Sequence, residues 1–250
     1  MSTTTGEKTV YLIRHAESEE NRRIGSLKNT FKSLGRLKLP SGSDVKAIGE
    51  LLNIPAQIDS NVSEKGKDQI SFMRKQLDEA DFLVAKEIKL VAHSPLIRAR
   101  ETSEGMLGCS NPDQKADSVD RVVELDLLKE MTPQEWMPMY RKNFKKRVEA
   151  LEEWLSEQDE QNIALVGHSE YFKAMLGLDF KFGNCDVWQI SFDRSKTESP
   201  TAFQNRTETV VFPCLDEKKV DDYDDDDEKT WNLPPQWSNL KKLYTGKKDE

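Results

Sequence analysis

The segment TVYLIRHAESEEN, residues 9–21, is the most informative part of this chain for its fold. Its first five residues are a short, β-rich apolar run of the kind that forms a buried strand. Arg14 and His15 follow that run directly. Parallel sheets bind their ligands at the carboxyl ends of their strands. The stretch therefore predicts a buried strand that ends in a reactive loop.

The same arrangement recurs twice along the chain. The runs IKLVAHSPLIRA, residues 88–99, and NIALVGHS, residues 162–169, are both apolar segments that lead into a histidine. The chain has only three histidines, His15, His93 and His168, and each of them follows such a segment. Because the carboxyl ends of parallel strands meet at one edge of a sheet, we expect these strand ends to converge.

Apolar runs of strand length alternate with segments of helical periodicity over most of the chain. Strands are predicted near residues 8–14, 88–93, 119–124, 162–167, 185–193 and 207–212. Helices are predicted near residues 63–79, 96–107, 133–158 and 169–177. This alternation predicts an α/β fold with a mainly parallel, helix-covered sheet.

Four segments, in the right order, resemble the motifs of the histidine phosphatase superfamily, also called phosphoglycerate-mutase-like. They are RHAES at 14–18, VSEKGKDQ at 62–69, SPLIRARET at 94–102 and GHS at 167–169. Ala16 stands where the family usually has glycine in its Arg-His-Gly-Glu signature. The resemblance covers roughly residues 8–193. It implies a sheet of the phosphoglycerate-mutase-like type and a chemistry of phosphoryl transfer.

The resemblance implies a role for each matching polar residue. His15 would attack phosphorus through a neutral ring nitrogen and form a phosphohistidine, which water then hydrolyses. His168 would donate to the phosphoryl group. Guanidinium groups are planar forks that suit two phosphate oxygens each. The predicted phosphate ligands are Arg14, Asn21, Arg98 and Ser169.

Two carboxylates compete for the role of general acid. The family has its acid in a Leu-x-Glu context after the strand that follows the RARET helix, and Glu130 fits that context. Glu124 lies near the end of the same predicted strand, and the usual Gly-x-Trp-Glu-Gly segment is missing. We favour Glu130 because Val122 and Val123 should still lie inside the sheet. Glu124 remains the alternative.

His93 departs from the family pattern, which has a small or hydroxyl residue there. It is interpreted either as a hydrogen-bonding group near the pocket or as a buried core histidine, and we favour the core. No carboxylate stands at metal-ligand spacing from a histidine, so neither a metal nor another cofactor is expected.

Composition shifts divide the chain into a body and a tail. Residues 1–215 are predicted to form the catalytic domain, with an insertion at about 22–58 that is either a substrate lid or a solvated surface loop. Residues 216–250 are predicted to be an acidic, flexible tail, because 216–228 hold nine acidic residues and two lysines. The segment Trp231 to Trp237 could bind a partner or dock on the body, and we favour docking.

The net charge of −8 is concentrated in that tail and argues against a nucleic-acid partner. Cys109, Cys185 and Cys214 form an odd, widely spaced set that suits free thiols in a reducing compartment. The chain shows neither a secretory signal nor an apolar run of membrane-spanning length. These features predict a cytoplasmic protein with no membrane partner.

The motifs together predict a metal-independent phosphatase of small phosphorylated metabolites or phosphopeptides. The alternative enzyme is a phosphoglycerate mutase, although the Phe-Thr-Gly-Trp pattern of mutases is absent after Asn21. The alternative of another class is a pseudophosphatase that binds phosphorylated ligands. The predicted partner is a small phosphorylated substrate, and no partner is assigned to the acidic tail.

Overall fold

A computed structural model describes residues 6–19, 59–132, 135, 140–196 and 231–246. Within these ranges six strands form one sheet, and helices cover both of its faces. The predicted ligand Asn21, the insertion at 22–58, the strand near 207–212 and the acidic residues 216–228 lie outside the described residues.

The six strands have the order β3-β2-β4-β1-β5-β6 across the sheet. They are β1 (Lys8–Arg14), β2 (Leu90–His93), β3 (Arg121–Glu124), β4 (Asn162–Gly167), β5 (Val187–Phe192) and β6 (Trp237–Tyr244). Strands β1 to β4 pair in parallel, whereas β5 and β6 are antiparallel additions at one side. The α/β prediction with a mainly parallel sheet is therefore confirmed.

The register of the central strands sets their ends side by side. Arg14 at the end of β1 is opposite Gly167 at the end of β4, and His93 on β2 is opposite Val166. The residues that follow these three strands consequently emerge at one edge of the sheet. The expected convergence of the strand ends is confirmed.

The helices form one layer on each face of the sheet. They are α1 (Glu64–Glu79), α2 (Phe82–Ala85), α3 (Ile97–Leu107), α4 (Arg141–Glu157) and α5 (Ser169–Leu176). Side chains alternate along β1, so that Val10 and Leu12 pack with α4 and α5, whereas Tyr11 and Ile13 pack with α1, α2 and α3. None of the helices in the described ranges is long and apolar enough to cross a membrane.

The C-terminal segment corrects the predicted division of the chain. Residues 231–246 are not a flexible tail, because β6 joins the sheet beside β5 and the Trp237 side chain is 2% exposed. Glu152 on α4 accepts hydrogen bonds from the side chains of Gln236 (2.7 Å) and Trp237 (2.8 Å). The docking prediction for Trp231 to Trp237 is confirmed.

Candidate active site

Two histidines meet where β1 and β4 end. His15 directly follows β1 and His168 directly follows β4, and their exposed fractions are 3% and 0%. Their ring centroids are 5.0 Å apart with an interplanar angle of 61°. The two imidazoles that the sequence places 153 positions apart thus share one buried site.

The ring of His15 is held in one orientation by its own loop. Its Nδ1 lies 2.6 Å from the carbonyl oxygen of Ala16. Because a carbonyl only accepts, Nδ1 carries the proton and Nε2 keeps its lone pair. Burial, Arg98 and Arg14 lower the pKa of His15 well below its usual value, so the ring is neutral near pH 7. The Ala16 N–H donates to Thr102 Oγ1 at 2.9 Å, which ties the loop to α3.

Helix α1 also holds this loop. Ser63 caps the helix by accepting from the Gly66 N–H, and its hydroxyl donates to a carboxylate oxygen of Glu17 at 3.0 Å. A Cβ at Gly66 would lie 2.2 Å from the carbonyl oxygen of Glu17, so glycine allows the helix to approach the loop backbone. The Gln69 side chain accepts from the Glu17 N–H at 2.9 Å. The motif VSEKGKDQ therefore supports the reactive loop.

Two arginines surround the histidine pair. Arg14 Nη1 donates to the carbonyl oxygen of Phe182, whereas its Nε is buried and has no hydrogen-bond partner among the described residues. Arg98, in the first turn of α3, is 5% exposed. Both guanidinium charges lower the pKa values of His15 and His168.

The ring of His168 is bonded at one nitrogen. Its Nε2 lies 2.9 Å from the hydroxyl oxygen of Ser94, which follows β2. Its Nδ1 is buried with no hydrogen-bond partner in the described part of the chain, and lies 4.0 Å from Glu130 Oε2. Burial lowers the pKa of His168 well below its usual value, and His15 and both arginines add to the shift.

The structure brings Glu130, not Glu124, to the histidines. The Met131 and Tyr171 N–H groups donate to Glu130 Oε1 at 2.8 and 3.1 Å, so Oε2 is the oxygen that faces His168. Burial raises the pKa of Glu130 to about 7. Glu124 is the last residue of β3 and its side chain is exposed.

The remaining predicted residues differ in their placement. Ser169 opens α5, is buried, and its hydroxyl donates to the carbonyl oxygen of Phe182 at 3.3 Å. This is the same oxygen that Arg14 binds. His93 is fully buried, and its two ring nitrogens each lie 2.9 Å from a backbone carbonyl, those of Ser94 and Ser110. Both nitrogens thus face backbone carbonyl oxygens, and a neutral ring donates to one of them. Burial fits the core interpretation, and the contact with Ser94 fits the alternative of a hydrogen-bonding group near the pocket.

Sequence reasoning missed the loop that precedes β5. The Asn184 side chain donates to the carbonyl oxygen of His15 at 2.9 Å, and the Cys185 N–H donates to that of Arg14 at 3.1 Å. Asp186 is 2% exposed and accepts from the Gly183 N–H at 2.8 Å. The polar run FGNCD before a strand was the available signal, but these bonds run to backbone atoms, which carry no side-chain pattern.

A metal site needs at least three ligating side chains close together. Among residues 6–19, 59–132, 135, 140–196 and 231–246, no three His, Cys, Asp or Glu residues form such a group. The expected independence of metal stays a prediction. The donors that do converge are two guanidinium groups and a neutral imidazole, and these are groups that bind a tetrahedral oxyanion.

No family model and no curated protein matches this chain. Among solved structures, a candidate alpha-ribazole-5'-P phosphatase from Escherichia coli is 19% identical, with 75% of this chain and 92% of that chain covered and a TM-score of 0.47. A phosphoserine phosphatase from Entamoeba histolytica is 17% identical, with coverage of 74% and 90% and a TM-score of 0.44. A mycobacterial glucosyl-3-phosphoglycerate phosphatase is also 17% identical, with coverage of 73% and 92% and a TM-score of 0.44. These values are too low to assign a function, which is therefore inferred from the side chains of this chain.

Proposed function

We propose that this chain is a phosphatase that hydrolyses phosphomonoesters through a phosphohistidine on His15. The observation that carries the proposal is the state of the His15 ring. It is neutral, its Nδ1 is bonded to Ala16, and Nε2 is left with a lone pair beside His168 and a buried arginine. The resemblance of the RHAES and GHS segments to histidine phosphatase motifs supports the same role.

In the first step, Nε2 of His15 attacks phosphorus as the P–O bond to the leaving alcohol breaks. Arg14, Arg98 and the ring of His168 bind the equatorial oxygens, whose negative charge they stabilise in a buried site. The leaving oxygen takes a proton from Oε2 of Glu130. A pKa of about 7 keeps a large part of this carboxyl group protonated at neutral pH.

In the second step, water attacks the phosphohistidine. The Glu130 carboxylate accepts a proton from that water, the N–P bond breaks, and its electron pair returns to Nε2 of His15. Inorganic phosphate leaves, and both groups recover their starting states. None of these steps uses a metal.

The compartment of the proposed phosphatase is the cytoplasm. Its two described cysteines, Cys109 and Cys185, are free and buried, and free thiols are typical of a reducing compartment.

The test is release of p-nitrophenol from p-nitrophenyl phosphate in the presence of EDTA. We expect turnover by the wild-type protein and none by His15→Ala. Rapid acid-free quenching should trap a phosphorylated wild-type chain, with mass spectrometry assigning the phosphoryl group to His15. A wild-type protein that releases no p-nitrophenol, or a His15→Ala variant that is fully active, would overturn the proposal. Far-UV circular dichroism should show that both proteins are folded.

A further inference from the structure

Ser94 contacts the ring of His168 at the nitrogen that does not face Glu130. Its hydroxyl oxygen lies 2.9 Å from Nε2 of His168 and accepts the Leu96 N–H at 3.3 Å. The residue is fully buried.

The backbone of Ser94 is fixed on both sides. Its N–H donates to the carbonyl oxygen of Val166 at 2.9 Å, and its own carbonyl oxygen lies 2.9 Å from Nδ1 of His93. Strand β2 and the buried His93 thus hold the hydroxyl group in position. His93 is therefore a buried histidine that contacts the backbone of Ser94 and not the ring of His168.

The hydroxyl group has one proton to give. The Leu96 N–H occupies one of its lone pairs, and His168 Nε2 is the one acceptor found for its proton among the described residues. We propose that Ser94 is a positioning residue that donates to Nε2 of His168 and thereby holds this ring as the Nδ1–H tautomer. The Nδ1–H then points to the site as a donor.

The opposite tautomer would remove this donor. With the proton on Nε2, the lone pair of Nδ1 would face the Glu130 carboxyl at 4.0 Å and any phosphoryl oxygen bound there. A lone pair repels such an oxygen, and a neutral ring has no second proton to offer. The catalytic benefit of the Ser94 bond rests on the proposed function, whereas the tautomer itself does not.

Nitrogen-15 NMR of the imidazole rings tests the tautomer directly. The chain has three histidines, so the His168 signals can be assigned with a His15→Gln variant and a His93→Gln variant. In the wild type at pH 8 we expect a pyrrole-type shift at Nδ1 and a pyridine-type shift at Nε2. In Ser94→Ala we expect the Nε2–H tautomer to gain population.

A matched control is Ser103→Ala. Ser103 is also fully buried, and its hydroxyl donates to the carbonyl oxygen of Cys109, away from the histidines. This variant loses a buried serine hydroxyl and should leave the His168 tautomer and the kcat unchanged. A Ser103→Ala variant that shifts the tautomer as much as Ser94→Ala would overturn the proposal.

Kinetics supply the second measurement. Ser94→Ala should lower kcat for p-nitrophenyl phosphate about tenfold to a hundredfold, because the wrong tautomer presents a lone pair to the phosphoryl group. Ser94→Thr keeps the hydroxyl group and should restore most of kcat and the wild-type NMR pattern. An unchanged tautomer in Ser94→Ala overturns the inference whatever happens to kcat. If wild-type protein releases no p-nitrophenol while Ser94→Ala still changes the tautomer, the proposed function fails and the inference on Ser94 stands.

Discussion

The two oxygens of the Glu130 carboxyl group have different surroundings. Two backbone N–H groups donate to Oε1, which suits it to be the carbonyl oxygen of a protonated acid. Oε2 lies 4.0 Å from Nδ1 of His168, accepts no such bond from the residues that the structure describes, and can carry the transferable proton. A buried acid near neutrality with one oriented O–H is the form that proton donation to a leaving group needs.

Replacing Glu130 by Gln should separate substrates by their leaving groups. The amide keeps an acceptor for the two N–H groups but has no acidic proton. We expect kcat for an alkyl phosphate to fall about a hundredfold or more, and kcat for p-nitrophenyl phosphate to fall far less, because p-nitrophenolate needs little protonation. Steady-state kinetics with both substrates measures the difference.

The matched control is Glu124→Gln, which should behave as wild type because its side chain is exposed at the end of β3. The pH profile provides a second check. Glu130 is active as an acid only when protonated, so the wild-type rate with alkyl phosphates should decline as pH rises through about 7, and Glu130→Gln should lose that decline. If Glu124→Gln shows the substrate split instead, the role of Glu130 is refuted.

Residue types and their order were enough to predict which side chains meet. Each histidine follows a hydrophobic run, and parallel strands align their ends, so His15 and His168 were expected to be neighbours. The choice of Glu130 over Glu124 also followed from the sequence, because Val122 and Val123 belong in the sheet. The bonds that link Arg14 and His15 to the loop before β5 run to backbone oxygens, those of Phe182, Arg14 and His15, and a carbonyl is present at every position of any chain.

At the scale of elements, hydrogen bonds to the buried carboxyl group of Glu152 connect the start of β6 to helix α4. Glu152 is 7% exposed, and its Oε1 accepts from both the Gln236 amide and the Trp237 indole. Burial raises the pKa of Glu152, and the two donors oppose that shift. The strand is thus held by its ladder to β5 and by this contact across the face of the sheet.

Removing this carboxyl group should destabilise the fold. Glu152→Ala deletes two hydrogen bonds and leaves two buried donors without an acceptor, which should cost about 2 to 4 kcal/mol of unfolding free energy. Glu149→Ala is the control, because Glu149 lies one turn earlier on the same helix, is exposed, and forms a 3.8 Å ion pair with the half-buried Lys145. Its effect should stay within about 0.5 kcal/mol. Urea unfolding measures both, and equal losses would contradict this account.

Strand β6 was missed because its sequence, WSNLKKLY, has the composition of a solvated segment. It is an edge strand, and edge strands tolerate lysines and polar residues that a central strand excludes. The acidic run before it also suggested disorder. Of the six predicted strands, five correspond to β1 to β5, and the sixth, near 207–212, lies outside the described residues. Four of the five lie between other strands of the sheet, whereas β3 is the opposite edge strand and has exposed ends. A hydrophobic run therefore predicts a strand only where burial dictates the residue type.

For the whole molecule, the end of the described chain is connected to the candidate site. The Gly246 N–H donates to Asp186 Oδ1 at 2.9 Å, and the Asp186 backbone carbonyl accepts from the Arg14 N–H at 3.3 Å. A Cβ at Gly246 would lie 1.8 Å from the carbonyl oxygen of Asn184. Asn184 in turn donates to the carbonyl oxygen of His15.

Gly246→Ala should therefore disturb catalysis from a distance. The added methyl group forces the segment after β6 away from the loop before β5, which supports Arg14 and His15. We expect kcat/KM for p-nitrophenyl phosphate to fall about tenfold to a hundredfold, as small misplacements of catalytic groups do. In the control Gly6→Ala, the nearest atom to the new Cβ is 3.6 Å away, so kcat/KM should stay within about twofold. A Gly246→Ala variant with wild-type kinetics would show that this connection does not matter.

The place of β6 in the chain also constrains how the protein is made. A ribosome synthesises residues 8–192, with five strands of the sheet, well before it reaches Trp237. Until then β5 lacks β6 as its partner strand, and an unpaired strand edge can pair with other nascent chains. The hydrogen bond from the Gly246 N–H to Asp186, in the loop beside Arg14, can form only after Gly246 has been synthesised. The proposed phosphatase activity should therefore be complete only after residues 237–246 emerge from the exit tunnel, and chains stalled before that point should aggregate more readily.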